Sequence, residues 1–391
     1  MQEDEYMATV TELKTLGEVR EINAAFPYTQ PVREWKEKGG KVVAWQCTYV
    51  PEEVLCAAGL LPVRMTGDSR ELELENANAY LYINTCSYCR ACLELALGHE
   101  WDFLDAYVSA ATCDGSRRLA DVWQNYVTDI PLLYVLTTPR KFTERAHMFY
   151  LDEVREMKKR VEEFAGVKIT DDSLRDAIAL INRTRQLLRE LYEMKKADNP
   201  PVTGAETLEI INAGFRMPKD KFNDLLERLL AEIKATGRQV SGSVRLMING
   251  SPLNNPEFIK TIEEEGAIVV VDELCMGTRY WWQQVDTSTY ADPLEAISRR
   301  YLNNFPCARM VPCDERFKQV LELAREYRVE GVVSQIIRYC VPYAHDQPLL
   351  RERLEAIHIP VLELDIEYGM SGTGQIRTRA QAFLEMLTAN K

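Results

Sequence analysis

The chain alternates strand-like runs with amphipathic helical stretches, does so twice, and separates the two rounds by a long stretch without strand character. In the first round VVAWQ (around 43–46), LLPVRM (60–65), AYVSAA (106–111) and PLLYVL (131–136) are β-branched or aromatic runs that read as strands, with YLYI (80–83) as a short extended piece. Helical patterns lie between them in PEEVLCAAG, CSYCRACLELALGHEW (86–101) and SRRLADVWQNYV. The second round runs through strands at 244–249, 267–273, 331–337 and 359–365, with helices at 256–266, in PLLRERLEAIH and in TRAQAFLEML. Strand–helix alternation of this kind predicts a parallel sheet with helices on its faces. The expected organisation is N-terminal helices over 1–40, a first α/β lobe over 41–140, a helical segment over 141–240 broken at Asn199-Pro200-Pro201, and a second α/β lobe over 241–391.

A chain of 391 residues with 46% hydrophobic and 27% charged residues can bury a core without covalent staples. Its net charge of −13 argues against nucleic acid as a partner, because counterion displacement needs a broad basic face. No apolar run reaches the roughly 20 residues of a membrane helix, and the N-terminal sequence MQEDEYMATV lacks the basic and apolar regions of a secretory signal. A cytoplasmic protein is expected.

Ten cysteines in a reducing compartment are not expected to form structural disulfides. Cys56, inside EEVLCAAGLL, suits a buried small hydrophobe. The others stand beside turns and polar residues. Cys86, Cys89 and Cys92 share the spacing of a ferredoxin run, but the fourth position is Ala96 and no proline follows. On one helix the three would share a face and could not surround a cluster, so one thiol at the helix start is expected to join ligands from elsewhere. Zinc is disfavoured, since only one C-x2-C knuckle exists and His99, His147, His345 and His358 form no matching pair. Cys113 follows one strand and Cys340 another, each after a Val-Ser in the strand, and ligands in open α/β sheets bind outside such carboxyl ends. A cluster with three cysteine ligands and one open iron fits this spread. There is no P-loop and no G-x-S-x-G, and the glycine-rich run 369–374 departs from the dinucleotide fingerprint.

Several short motifs together resemble the family of 2-hydroxyacyl-CoA dehydratase and ATP-dependent benzoyl-CoA reductase subunits. They are CTYVPEE from Cys47 with the following AAGLLPVR, Cys86-Ser87 with Arg90, Thr112-Cys113-Asp114-Gly115 with Arg117 and Arg118, Asp272-Glu273 with Cys275, Gly277 and Arg279, Arg338-Tyr339-Cys340, and GQIRTRAQAF from Gly374. The resemblance runs from about 35 to the end. It implies two Rossmann-like lobes with short parallel sheets, a related partner subunit, and a separate ATPase activator with its own iron–sulfur cluster. It also implies a [4Fe–4S] cluster on Cys86, Cys113 and Cys340. The length, the lead-in to Cys86 and the C-terminal motif look most like a benzoyl-CoA reductase subunit that passes low-potential electrons to an aromatic acyl-CoA. Dehydration of a 2-hydroxyacyl-CoA is the alternative within the family. A further relative carries a double-cubane cluster, which needs about twice the cysteines; Cys89, Cys92, Cys275, Cys307 and Cys313 leave that possibility open.

For such a reaction His345 and Glu53, with Glu52, are the candidate proton donors. Arg117, Arg118, Arg279, Arg377 and Arg379 are the candidate cations for CoA phosphates. Tyr107, Trp123, Tyr280, Trp281, Trp282 and Tyr339 could line an apolar slot, although core packing explains any one of them. Residues around 275–282 and 338–345 are expected in or near a partner contact or the cleft leading to the cluster.

Overall fold

Among the described residues, eight strands form two separate four-stranded parallel sheets with the same strand order. The computed structural model describes residues 11–68, 73–369 and 373–389. Residues 1–10 of the expected N-terminal helices and 370–372 of the glycine-rich run lie outside the described residues.

In the first sheet β1 (Val42–Trp45) lies between β2 (Leu61–Arg64) and β3 (Ala106–Ala111), and β4 (Leu132–Thr137) completes the order β2-β1-β3-β4. In the second, β5 (Val244–Gly250) lies between β6 (Ala267–Glu273) and β7 (Gly331–Ile337), and β8 (Val361–Ile366) completes the order β6-β5-β7-β8. Every residue of β1 and of β6 is buried. That suits uninterrupted apolar runs such as AIVVV, because helices cover both faces of a parallel sheet. In each sheet the chain leaves the first strand to one side and returns to pair its third strand on the other. The two switch points, between β1 and β3 and between β5 and β7, are where an open α/β sheet offers a crevice at its carboxyl ends.

The helices Glu144–Ala165, Asp171–Met194, Gly204–Gly214 and Lys219–Thr236 connect the lobes. Their starts are written in the sequence: Thr143, Thr170 and Thr203 each cap with the side chain, the last two as capping boxes with Ser173 and Glu206. Gly166 and Gly237, at φ 70° and 61°, end two of them in the left-handed conformation. One apolar core runs from the first lobe through these helices to one face of the second sheet. A smaller core lies on that sheet's other face, closed by Ile376, Ala380, Phe383, Leu384 and Leu387 of the C-terminal helix Thr373–Ala389. Among the described residues no helix is long and apolar enough to cross a membrane.

Two local expectations are corrected. Residues 80–83 form no strand, with Tyr82 and Ile83 exposed, because the run has no strand to pair with. The helix expected to begin near Pro348 begins at Val341, directly after Cys340, and carries Pro348 inside it. Pro342 in its first turn needs no intrahelical donor and favours the early start.

Candidate metal centre

Four thiols stand at helix starts, and three of them are the sequence's cluster candidates. Cys86 is the N-cap of the helix Ser87–Leu97, Cys113 of Asp114–Tyr126, and Cys340 of Val341–Glu355. The first helix lies in the β2–β3 crossover; the other two follow β3 and β7, the strands that flank the switch points. The free N–H groups and positive dipole end of each helix favour negative charge at its cap. The Ser116 N–H donates to the Cys113 sulfur at 3.4 Å. Cys340 follows Tyr339, a non-glycine residue at φ 68°, so the chain turns sharply as it leaves β7. At the neighbouring end of β5, Gly250 adopts φ 130°, and a Cβ there would stand 1.8 Å from the Gln335 carbonyl oxygen. Only glycine permits this approach, and it brings Ser251 beside Cys340.

The three sulfurs act on one another electrostatically: Cys86 raises the thiol pKa of both Cys113 and Cys340. Burial, the larger cause, pushes Cys113 up to about 12. Cys86 moves the other way, lowered chiefly by its hydrogen bond with the Cys89 thiol, 3.7 Å away. Among the described residues no three His, Cys, Asp or Glu side chains are gathered tightly enough to hold one metal ion. A cubane makes a different demand, since each cysteine binds a different iron and the sulfurs stand further apart. Three soft donors from separate elements, each at a helix N-terminus, fit that demand.

A second set of thiols, half-buried like the first, lines a small cavity. Cys47 follows β1, itself at φ 77°, Cys275 follows β6, and Cys307 lies beyond the helix Pro293–Asn303. Together with Thr48, Tyr49, Arg279 and Asn304 they line a cavity of about 30 Å³. Burial pushes the Cys47 thiol up, opposed by a hydrogen bond with the Thr112 hydroxyl. Thr112 precedes Cys113, and Cys113 feels both Cys47 and Cys307. Arg309 holds the Cys307 loop to the first lobe by donating to the carbonyls of Thr112 (2.9 Å), Thr138 (2.6 Å) and Pro139 (3.0 Å). Six cysteines from both lobes therefore face one interlobe region. Cys89 and Cys92 are buried in the 87–97 helix, and Cys313 starts the helix Asp314–Glu326.

The other candidates separate. Glu53 and Arg185 pair at 2.7 Å, and the Tyr301 hydroxyl donates to Glu53 at 2.7 Å. Burial raises the Glu53 carboxyl, but Arg185 and Arg300 outweigh it and hold the group below its usual value. Glu52 accepts from Tyr280 at 2.5 Å and faces Lys219 at 3.3 Å. His345 is exposed on the helix that starts at Cys340; its buried neighbour is Asp346, pushed up to about 6 by burial and paired with Arg316. The five arginines do not converge. Arg117 and Arg118 are exposed near Cys113, with Arg118 paired to Asp114 and Asp121. Arg279 is buried beside Cys47, Cys275 and Cys307. Arg377 pairs with Glu264 and Glu265 just before β6, at the sheet end away from Cys275. Arg379 donates to the Glu363 carbonyl. Trp281 packs inside the chain on Tyr192, with centroids 4.7 Å apart, whereas Tyr339 is exposed.

Sequence reasoning passed over Arg64 and left Cys47, Cys275 and Cys307 without a role. Arg64 closes the apolar strand LPVR yet is buried. A charge ending a buried strand was the available signal.

The family model described as 2-hydroxyglutaryl-CoA dehydratase, D-component, matches residues 47–387. YjiM of Escherichia coli (strain K12), provisionally named a dehydratase subunit, is 30% identical over 367 residues, covering 91% of this chain and 94% of its own. A benzoyl-CoA reductase subunit of Thauera aromatica is 28% identical over 362 residues, covering 91% and 93%. The beta subunit of (R)-2-hydroxyglutaryl-CoA dehydratase from Acidaminococcus fermentans is 24% identical over 378 residues, covering 95% and 98%.

Proposed function

Because the chain belongs to the 2-hydroxyglutaryl-CoA dehydratase D-component family, we propose that it is the iron–sulfur subunit of an ATP-dependent reductase. In this reading six cysteines hold a cluster of the double-cubane kind. The observation that carries it is that Cys47, Cys275 and Cys307 line one small cavity, and that Arg309, two residues beyond Cys307, donates to the Thr112 carbonyl next to Cys113 of the other trio. When bound, such a cluster supplies low-potential electrons and an open iron edge. The chain's own residues would present three cysteine sulfurs at helix starts and line the second trio with Tyr49 and Phe305. A separate ATP-hydrolysing activator supplies the electrons, in keeping with the missing P-loop. Tyr80, Tyr82, Ile83, Tyr126, Tyr339 and Val341 are exposed near Cys86 and Cys340, and they suit a docking face for that activator or a related subunit.

The second reading, reduction of an aromatic acyl-CoA with a single [4Fe–4S] cluster on Cys86, Cys113 and Cys340, is favoured by the likeness to the Thauera aromatica benzoyl-CoA reductase subunit. Iron analysis of the anaerobically reconstituted chain separates the two. About twice the iron of a single [4Fe–4S] cluster, reduced by Cys307→Ser as well as by Cys113→Ser, is the expected result. A single cluster indifferent to Cys307→Ser overturns it.

A further inference from the structure

Arg64 ends β2 in the first lobe and reaches into the second. Its side chain is buried, with the guanidinium between the rings of Trp45 and Phe215, 4.9 Å from each centroid. One nitrogen donates to the Cys275 carbonyl oxygen at 2.9 Å. The other lies 3.2 Å from the Cys275 sulfur and 3.4 Å from the Thr48 hydroxyl. That hydroxyl donates to the same Cys275 carbonyl at 2.9 Å. Thr48 follows Cys47, so one guanidinium fixes Cys275 against the segment that carries Cys47.

The charge makes this arrangement informative. A guanidinium stays protonated in a protein, and a buried charge needs compensation. Among the described residues no carboxylate pairs with Arg64, and its Nε has no partner. Aromatic faces repay part of the desolvation. Among the described residues, the Cys275 sulfur is the one group within hydrogen-bonding reach of the guanidinium that can carry a negative charge when it binds metal. Glu273 gives Arg279 a partner at 3.5 Å, so Arg279 does not pose the same question.

We infer that Arg64 is a positioning residue for the trio Cys47, Cys275 and Cys307: it holds Cys275 toward Cys47 and, by its charge and N–H contact to sulfur, raises the reduction potential of the group these thiols hold. The inference rests on the six-cysteine reading above. Hydrogen bonds and cations at ligand sulfur stabilise the reduced, more negative state, and removing them lowers the potential.

The test is an EPR-monitored redox titration of the full-length chain, reconstituted anaerobically with iron and sulfide, alongside iron content and circular dichroism. In Arg64→Gln the iron is retained and the midpoint moves negative by at least tenfold in the reduction equilibrium, or about 59 mV for one electron. Arg64→Lys keeps the charge but cannot span both carbonyl and sulfur, and shifts less in the same direction. A wild-type midpoint in Arg64→Gln overturns the inference. Should Arg64→Gln fail to hold iron, Arg64→Lys is read in its place by the same two outcomes. Cys275→Ser separates the two levels: if it keeps wild-type iron and spectrum, the six-cysteine reading itself fails and the role of Arg64 falls with it. If it loses them while the Arg64 variants keep the wild-type midpoint, only the inference about Arg64 is lost.

Discussion

The Arg185 guanidinium and the Glu53 carboxylate meet at 2.7 Å with neither side chain exposed. Removing one partner leaves the other charged and dry. Glu53→Gln is expected to destabilise the fold by about 3–5 kcal/mol, and Glu53→Gln with Arg185→Met by less than the sum of the two. Chemical denaturation of the four proteins checks this; an additive cycle contradicts it.

Lys195 is buried with its amine donating to the Thr207 hydroxyl at 2.7 Å, and burial pushes its pKa down to about 8. A base with a depressed folded pKa binds fewer protons folded than unfolded. Its penalty is therefore full below pH 8 and fades as pH rises toward about 10.5. Wild type should gain up to about 3 kcal/mol relative to Lys195→Met across that window. Urea midpoints at pH 7 and pH 10 measure the difference, and a pH-independent gap refutes it.

Gly17 and Gly250 make opposite demands. Gly17 sits in the helix Lys14–Ala24 with nothing within 4 Å of an added Cβ, so Gly17→Ala should stabilise by about 1 kcal/mol. Gly250→Ala drives a Cβ into the Gln335 carbonyl at φ 130° and should lower the melting temperature sharply, with loss of iron as the Cys340 turn shifts. Thermal melts with iron analysis compare the two directly.

Cys56 is half-buried beside Glu52 and Glu53 rather than among the trios. Cys56→Ser is expected to keep full iron, whereas Cys86→Ser, Cys113→Ser and Cys340→Ser should each strip or degrade the cluster. Full iron and an unchanged EPR signal in Cys113→Ser count against the assignment.

The pure chain is expected to neither bind nor hydrolyse ATP, since no phosphate-cradling motif is present in its sequence. Isothermal titration and phosphate release measure this, and robust hydrolysis without an activator contradicts it.

Much of the fold was legible because its signals are local. The strands at 106–111, 267–273 and 331–337 match the observed bounds, being apolar runs with turn residues at their ends. The strand-end positions of Cys113 and Cys340 followed from the same runs. What failed was non-local. Tyr80–Tyr82 has strand composition but no partner strand, and propensity carries no information about pairing. The ionic partners of Glu53 and Arg377 come from segments 132 and 112 positions away, so a carboxylate locked by Arg185 and an arginine spent on Glu265 looked as available as any other. Cys275 and Cys307 lacked a role for the same reason: only the folded arrangement of the lobes brings them to Cys47.

The two apolar cores divide the molecule by cooperativity rather than by lobe. Because the larger core is shared by the first lobe, the connecting helices and one face of the second sheet, those parts are expected to open together in hydrogen exchange, at the free energy of global unfolding. The helix Thr373–Ala389 closes only the smaller core. Its amides can exchange through a separate, shallower opening that leaves the shared core, and all six facing thiols, untouched.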